Sequence, residues 1–74
     1  KGINVATLQT LAESHNLEVI TVDTLREAGF INKNQLVKIL GNGELTAKLA
    51  VSAHAFSKSA IAKIEAVGGT ATTI

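Results

Sequence analysis

Apolar and polar positions along the chain form a short motif that occurs three times. Ile3-Asn4-Val5-Ala6-Thr7-Leu8 returns seventeen positions later as Ile20-Thr21-Val22-Asp23-Thr24-Leu25, and Phe56-Ser57-Lys58-Ser59-Ala60-Ile61 is a looser copy. Each copy is an apolar residue, a small polar residue, three helix-start residues and a second apolar residue. This is the hydrophobic staple: the residue before the cap packs on the fourth helical residue, while the Asn, Thr or Ser oxygen accepts from an orphan helix N–H. Each copy therefore predicts a helix start. The first helix should run to about Ser14, with Leu8, Leu11 and Ala12 on one face and His15-Asn16 ending it. The second should cover 22–28, with Gly29 as a left-handed C-terminal residue. The third carries Ala60, Ile61, Ile64 and Val67 at helical spacing, with Lys58, Lys63 and Glu65 on its polar side, and stops at Gly68-Gly69.

Between these helices the period changes to two. Residues 17–20 lead into the second staple as a short strand. Residues 36–40 and 45–52 flank Gly41-Asn42-Gly43, and this arrangement predicts a hairpin. In the second segment Leu45, Ala47, Leu49 and Val51 alternate with Thr46, Lys48, Ala50 and Ser52, so one face is apolar. A hairpin centred near Asn42 puts Val37 and Ile39 on the core face with Leu45 and Ala47. It would make Lys38 and Lys48 diagonal neighbours on the opposite face. Residues 71–74 predict a last strand. The pattern describes one small α/β domain over residues 1–74, with no linker and no low-complexity stretch.

Composition narrows the class. The chain has 74 residues, of which 46% are hydrophobic, but only Phe30 and Phe56 are aromatic, and it has no Cys, Pro, Met, Trp or Tyr. A domain of this size buries only about 60% of the surface its unfolded form exposes, and here no disulfide can assist it. A mean hydropathy of +0.29 with 18% charged residues describes a globule rather than a disordered tail. Charge or polarity interrupts every apolar run well before a membrane span of about 18 residues. Lys1 and Gly2 lead straight into the first capped helix, so no signal peptide is expected. The chain does not start with methionine and is read as a piece of a longer protein.

The net charge of +1 is too small to announce a nucleic-acid partner, but its distribution is polarised. Lys1 and Arg26 face Glu13, Glu18, Asp23 and Glu27 in the first 32 residues, a net −2. Lys33, Lys38, Lys48, Lys58 and Lys63 face Glu44 and Glu65 in the remainder, a net +3.

Enzyme chemistry finds no residue set. His15 and His54 stand in no ligand pattern such as His-Glu-x-x-His, and no pair of carboxylates falls at catalytic spacing on one predicted face. His15 suits a helix C-terminus, where the dipole favours it. His54 suits either a phosphate or ribose contact or an ordinary loop position. Gly41-Asn42-Gly43 lacks the further glycine, the Lys-Ser/Thr pair and the following helix of a nucleotide-binding loop. Ser57 in Ser57-Lys58-Ser59 is better used as a helix cap than as a nucleophile, since no base or oxyanion partner accompanies it. No catalytic residue, cofactor, metal or small-molecule substrate is expected. What remains is a basic group, Lys38, Lys48, His54, Lys58 and Lys63, with Asn42 and Ser57 beside it. Lys58 at a helix start opposes the dipole, and an external anion would remove that cost. With almost no aromatic residues to stack on bases, any RNA contact should be to phosphate and ribose.

The residues also carry a resemblance. Lys38-Ile39-Leu40-Gly41-Asn42-Gly43-Glu44-Leu45, then Leu49-Ala50-Val51, then Phe56-Ser57-Lys58-Ser59-Ala60, Ile64 and Gly68 are similar to the signature of bacterial large-subunit ribosomal protein fifteen. Archaeal and eukaryotic relatives share that family's domain. Val22-Asp23-Thr24-Leu25 and Ala28-Gly29-Phe30-Ile31 also resemble the family, so the likeness covers nearly the whole chain as a C-terminal globular domain. It implies an irregular superhelix of about three strand–strand–helix units. It also implies a non-enzymatic constituent of the large ribosomal subunit in the cytoplasm, binding large-subunit (23S) ribosomal RNA and supporting assembly beside neighbouring ribosomal proteins. The Gly- and Arg-rich N-terminal extension of that family, which threads into RNA, is absent from this sequence, and the modest charge fits its absence. Of the signature residues Gly41, Gly43, Ala60 and Gly68 are read as fold, and Lys38 as contact. The expected RNA-binding set is Lys38, Asn42, Lys48, His54, Ser57, Lys58 and Lys63. The rival reading is a protein-interaction module whose surface lysines are incidental.

Overall fold

The computed structural model describes residues 2–32 and 34–74; Lys1 and Lys33, whose charges enter the polarity above, lie outside them. The elements in chain order are β1 (Gly2–Asn4), α1 (Val5–His15), β2 (Val19–Ile20), α2 (Val22–Glu27), β3 (Lys38–Leu40), β4 (Ala50–Ala53), β5 (Ala55–Phe56), α3 (Lys58–Ala66) and β6 (Thr70–Thr73). All three predicted helices form, and they stop where local chemistry stops them. Asn16 takes the left-handed conformation (φ 57°) after α1, Gly29 follows α2 at φ 86°, and Gly68 follows α3 at φ 83°.

The strands build two parallel sheets, ordered β1-β3-β5 and β2-β4-β6. The chain visits the first sheet and then the second, three times over, which is the expected superhelix of three strand pairs. Its helices are distributed differently from the expected unit. α1 joins β1 to β2 in the first turn and α3 joins β5 to β6 in the last, while α2 lies on the return from β2 to β3. In the middle turn, residues 41–49 pass from β3 to β4 with no helix at all.

This overturns the predicted hairpin. β3 pairs with β1 (Ile3↔Ile39) and β5 (Ile39↔Phe56), and β4 pairs with β2 (Ile20↔Val51) and β6 (Val51↔Ala71), so the two supposed hairpin arms belong to different sheets. The physical reason is that alternation records which side chains face the core, not which strand lies alongside. Leu45, Leu49 and Val51 are buried as the alternation requires, but only Ala50–Ala53 is strand. The partners of β3 are β1 and β5, both supplied by chain segments far from Asn42. Strands of two or three residues carry no period of their own, so neither β1 nor β5 is legible in the sequence pattern.

The staples divide in the same way. Ile3, Leu8, Ile20 and Leu25 are all buried, and Thr21 accepts from the Thr24 amide at 3.2 Å. In the third copy Ser57 accepts from the Ala60 amide at 3.1 Å, so the cap forms. Its apolar closure does not: Ile61 is 36% exposed, and Ala60 and Ile64 fill the core instead. Asn4 takes the cap position of α1 but makes no side-chain cap bond. Its role passes to a distant carbonyl, because the Ala6 amide in the first turn of α1 donates to that of Asn42 at 3.3 Å.

The helix-free leg is secured by its neighbours. Gln9 on α1 accepts from the amides of both Thr46 and Ala47 at 2.9 Å through a single oxygen. Gly43 (φ 88°) lies so close to α1 that a Cβ there would overlap that of Ala6, whereas Gly29 (φ 86°) has open space around it. Gly29→Ala should thus cost only left-handed strain, about 1–2 kcal/mol. Gly43→Ala adds an overlap and should cost roughly 2–5 kcal/mol. Equal shifts in the urea midpoint would refute this placement of the loop. Gln9→Met, which removes the shared acceptor but keeps the length, should lower unfolding free energy by about 1–3 kcal/mol with no change in denaturant slope.

Candidate nucleic-acid interface

The basic residues are positioned by the end of β3 and the start of α3. Ser57 donates its amide to the Ile39 carbonyl at 2.8 Å, which hangs the cap of α3 on the first sheet. The Ser57 hydroxyl also lies 3.2 Å from that of Ser59. Gly41, directly after β3, is buried against this cap; a Cβ there would overlap Ser59 and stand 2.8 Å from the Ala60 nitrogen. Lys58, the first residue of α3, is exposed at this junction, and so is Asn42. Asn42, Ser57, Lys58 and Lys63 therefore come together around one loop and one helix start.

Lys63 occupies a different environment from the other lysines. It is half-buried, and its ammonium donates to the carbonyls of Gly41 at 2.6 Å and Gly43 at 2.5 Å. Ser57 is likewise occupied as a cap. Lys38 is exposed on β3, opposite Gly2 and Ala55, with the buried Ile39 pointing the other way.

His54 is the corner residue where the chain leaves β4 for β5. Its amide donates to the Val37 carbonyl at 3.1 Å and its Nδ1 accepts from the Val37 amide at 2.9 Å. The proton of the neutral ring then resides on Nε2. His54 thus stands beside Lys38, through Val37 and Ala55.

Lys48 is separated from the rest. Its stem runs 3.7 Å from where a Cβ of Gly68 would be, past the C-terminal end of α3, and it borders a shallow groove with Glu18, Gly69 and Thr70. The nine residues of α3, about 13 Å of helix, lie between that end and Lys58. The expected diagonal pair of Lys38 and Lys48 disappears with the hairpin that generated it. Lys48 is instead a cation near a helix C-terminus, where the dipole favours it.

Among the described residues the one ion pair is Arg26–Asp23 at 2.7 Å, an exposed pair three apart on α2 that contributes little. No described carboxylate pairs with Lys38, Lys48 or Lys58. Gln9 has no counterpart among the residues singled out from the sequence, because a lone glutamine on a helix gives no signal of a distant partner.

A residue-level comparison decides the family. The family model that groups the ribosomal proteins 50S-L15 and 50S-L18e with their 60S counterpart matches residues 2–72. The chain belongs to that ribosomal protein family. Three relatives each bear the name "Large ribosomal subunit protein uL15". One from Bacteroides fragilis is 64% identical over 69 residues, 93% of this chain and 47% of the relative. One from Phocaeicola vulgatus is 62% identical over 71 residues, 96% of this chain and 48% of the relative. One from Amoebophilus asiaticus is 52% identical over 71 residues, again 96% of this chain and 47% of the relative. The chain thus spans about half the length of the curated relatives it matches. The family resemblance seen in the signature residues is borne out, and the family is one of ribosomal proteins rather than enzymes.

The His54 geometry makes a direct prediction. Val37 is buried, so His54→Phe leaves its amide without an acceptor and should cost about 1–3 kcal/mol of stability. His54→Asn, whose Oδ1 can take the place of Nδ1, should recover most of that loss in thermal unfolding. A Phe variant as stable as the parent would show that the ring nitrogen holds nothing.

Proposed function

We propose that this chain is a structural, RNA-binding domain of the large ribosomal subunit. On this reading it packs as a rigid body on large-subunit ribosomal RNA and supports assembly. The observation that carries the proposal is the set of exposed lysines, Lys38, Lys48 and Lys58, without carboxylate partners among the described residues, on a chain of this family. Unpaired surface cations gain most from a polyanion, because each phosphate they neutralise releases condensed counterions. Lys58 gains further, since a phosphate there relieves its unfavourable position at a helix start. Asn42 and the Nε2 edge of His54 supply neutral polar contacts for ribose or phosphate oxygens. The acidic first half is turned to solvent or to neighbouring ribosomal proteins.

The contacts read shape rather than base sequence. Phe30 and Phe56 are both half-buried against the core and offer no stacking platform. Lys48, at the far end of α3, belongs to a second point of contact or to none, so its share should be separable from that of Lys38 and Lys58.

The triple variant Lys38→Glu, Lys48→Glu, Lys58→Glu should lose incorporation into the large subunit in competition with the parent protein, while its unfolding midpoint stays near the parent's. Each lysine that neutralises a phosphate should, when removed, lower the slope of log affinity against log salt by about one unit. Normal assembly of the triple variant would make the assigned face wrong. Affinity that barely responds to salt would favour a protein partner and incidental lysines.

A further inference from the structure

Lys63 falls in the basic half by sequence, yet its surroundings set it apart from Lys38, Lys48 and Lys58. Those three are exposed, whereas Lys63 is half-buried with two of its three N–H donors on main-chain carbonyls. The carbonyls belong to Gly41 and Gly43, and the one between them, on Asn42, accepts from the Ala6 amide of α1. Three consecutive peptide planes are therefore pinned, the outer two from α3 and the middle one from α1. A peptide unit is planar, so holding its oxygen also holds its nitrogen. With the planes on both sides of Asn42 held, its backbone has no freedom left.

We propose that Lys63 is a positioning residue: it clamps the Gly41-Asn42-Gly43 segment from inside the fold, in the shape that presents Asn42, and does not itself contact phosphate. The proposal rests on the RNA-binding reading above for what the segment is presented to. The clamp itself is a property of the free protein. The segment is the helix-free part of the middle turn and has no ladder of its own, so its carbonyls need outside donors. Charge-assisted bonds from one ammonium supply two of them. To reach a phosphate with the same donors, Lys63 would have to abandon both carbonyls beside a half-buried stem. A segment already fixed in shape loses less freedom on binding, which is the advantage the clamp confers.

The test combines amide hydrogen exchange of the free protein with the salt dependence of binding to large-subunit ribosomal RNA. In Lys63→Met the Ala6 amide, which reports on the Asn42 carbonyl, should exchange about tenfold faster or more. RNA affinity should fall at every salt concentration with the slope unchanged. Lys63→Arg keeps donors and should restore protection; if the Met variant does not fold while the Arg variant does, the carbonyl bonds are shown to be needed without any RNA. Lys58→Met should do the opposite, leaving exchange unaltered and lowering the slope by about one. Unchanged Ala6 exchange in Lys63→Met together with a slope lowered by one overturns the clamp and makes Lys63 a contact. Faster exchange in Lys63→Met combined with an unchanged slope in Lys58→Met keeps the clamp and sinks the phosphate reading instead.

Discussion

The architecture depends on how its one helix-free passage satisfies its main chain. Two turns of the superhelix cross between sheets on a helix, whose peptide groups bond one another. The middle turn crosses on residues 41–49, and those groups must find partners on other elements. They find them on both sides: Lys63 and Ala6 serve the carbonyls of 41–43, and Gln9 serves the amides of Thr46 and Ala47. Leu45 and Leu49 anchor the passage in the core. Since β3 and β4 are the central strands of their sheets, everything that packs on either sheet inherits the position of this passage.

Glycine is what lets the passage lie so close. Gly41 touches the start of α3 and Gly43 the start of α1, each at a distance that leaves no room for a Cβ. The same closeness explains why α1 can dispense with an Asn4 cap bond, since the Asn42 carbonyl reaches its first turn directly. It also sorts the lysines. The cation that faces the passage is consumed by it, and those on β3, before β4 and at the outer start of α3 remain on the surface. A chain with a net charge of only +1 can thus present a locally positive face, because its opposite charges are carried elsewhere in the fold.

Much of this is legible in the chain alone. The helix starts at Val5, Val22 and Lys58 and the stops near Asn16, Gly29 and Gly68 follow from caps and left-handed residues, which are interactions over four or five positions. The inward-facing alternation of Leu45, Leu49 and Val51 is legible for the same reason. The Lys38 signature is legible as a family resemblance. The hairpin is an error about the partners of these residues, not about the residues themselves. Gly-Asn-Gly between two apolar runs favours a tight turn locally, and nothing within ten residues says that two helix starts will occupy that space.

The sequence by itself therefore determined the local elements, the core-facing positions and the polarity of charge, since each is decided by neighbours in the chain. Only the tertiary structure decided which strands pair, that all of them pair in parallel, and which basic side chains stay free. Those outcomes come from contacts between residues dozens of positions apart, such as Gln9 with Thr46 and Gly41 with Lys63. Such contacts exist only once the superhelix has closed, and no periodicity records them in advance.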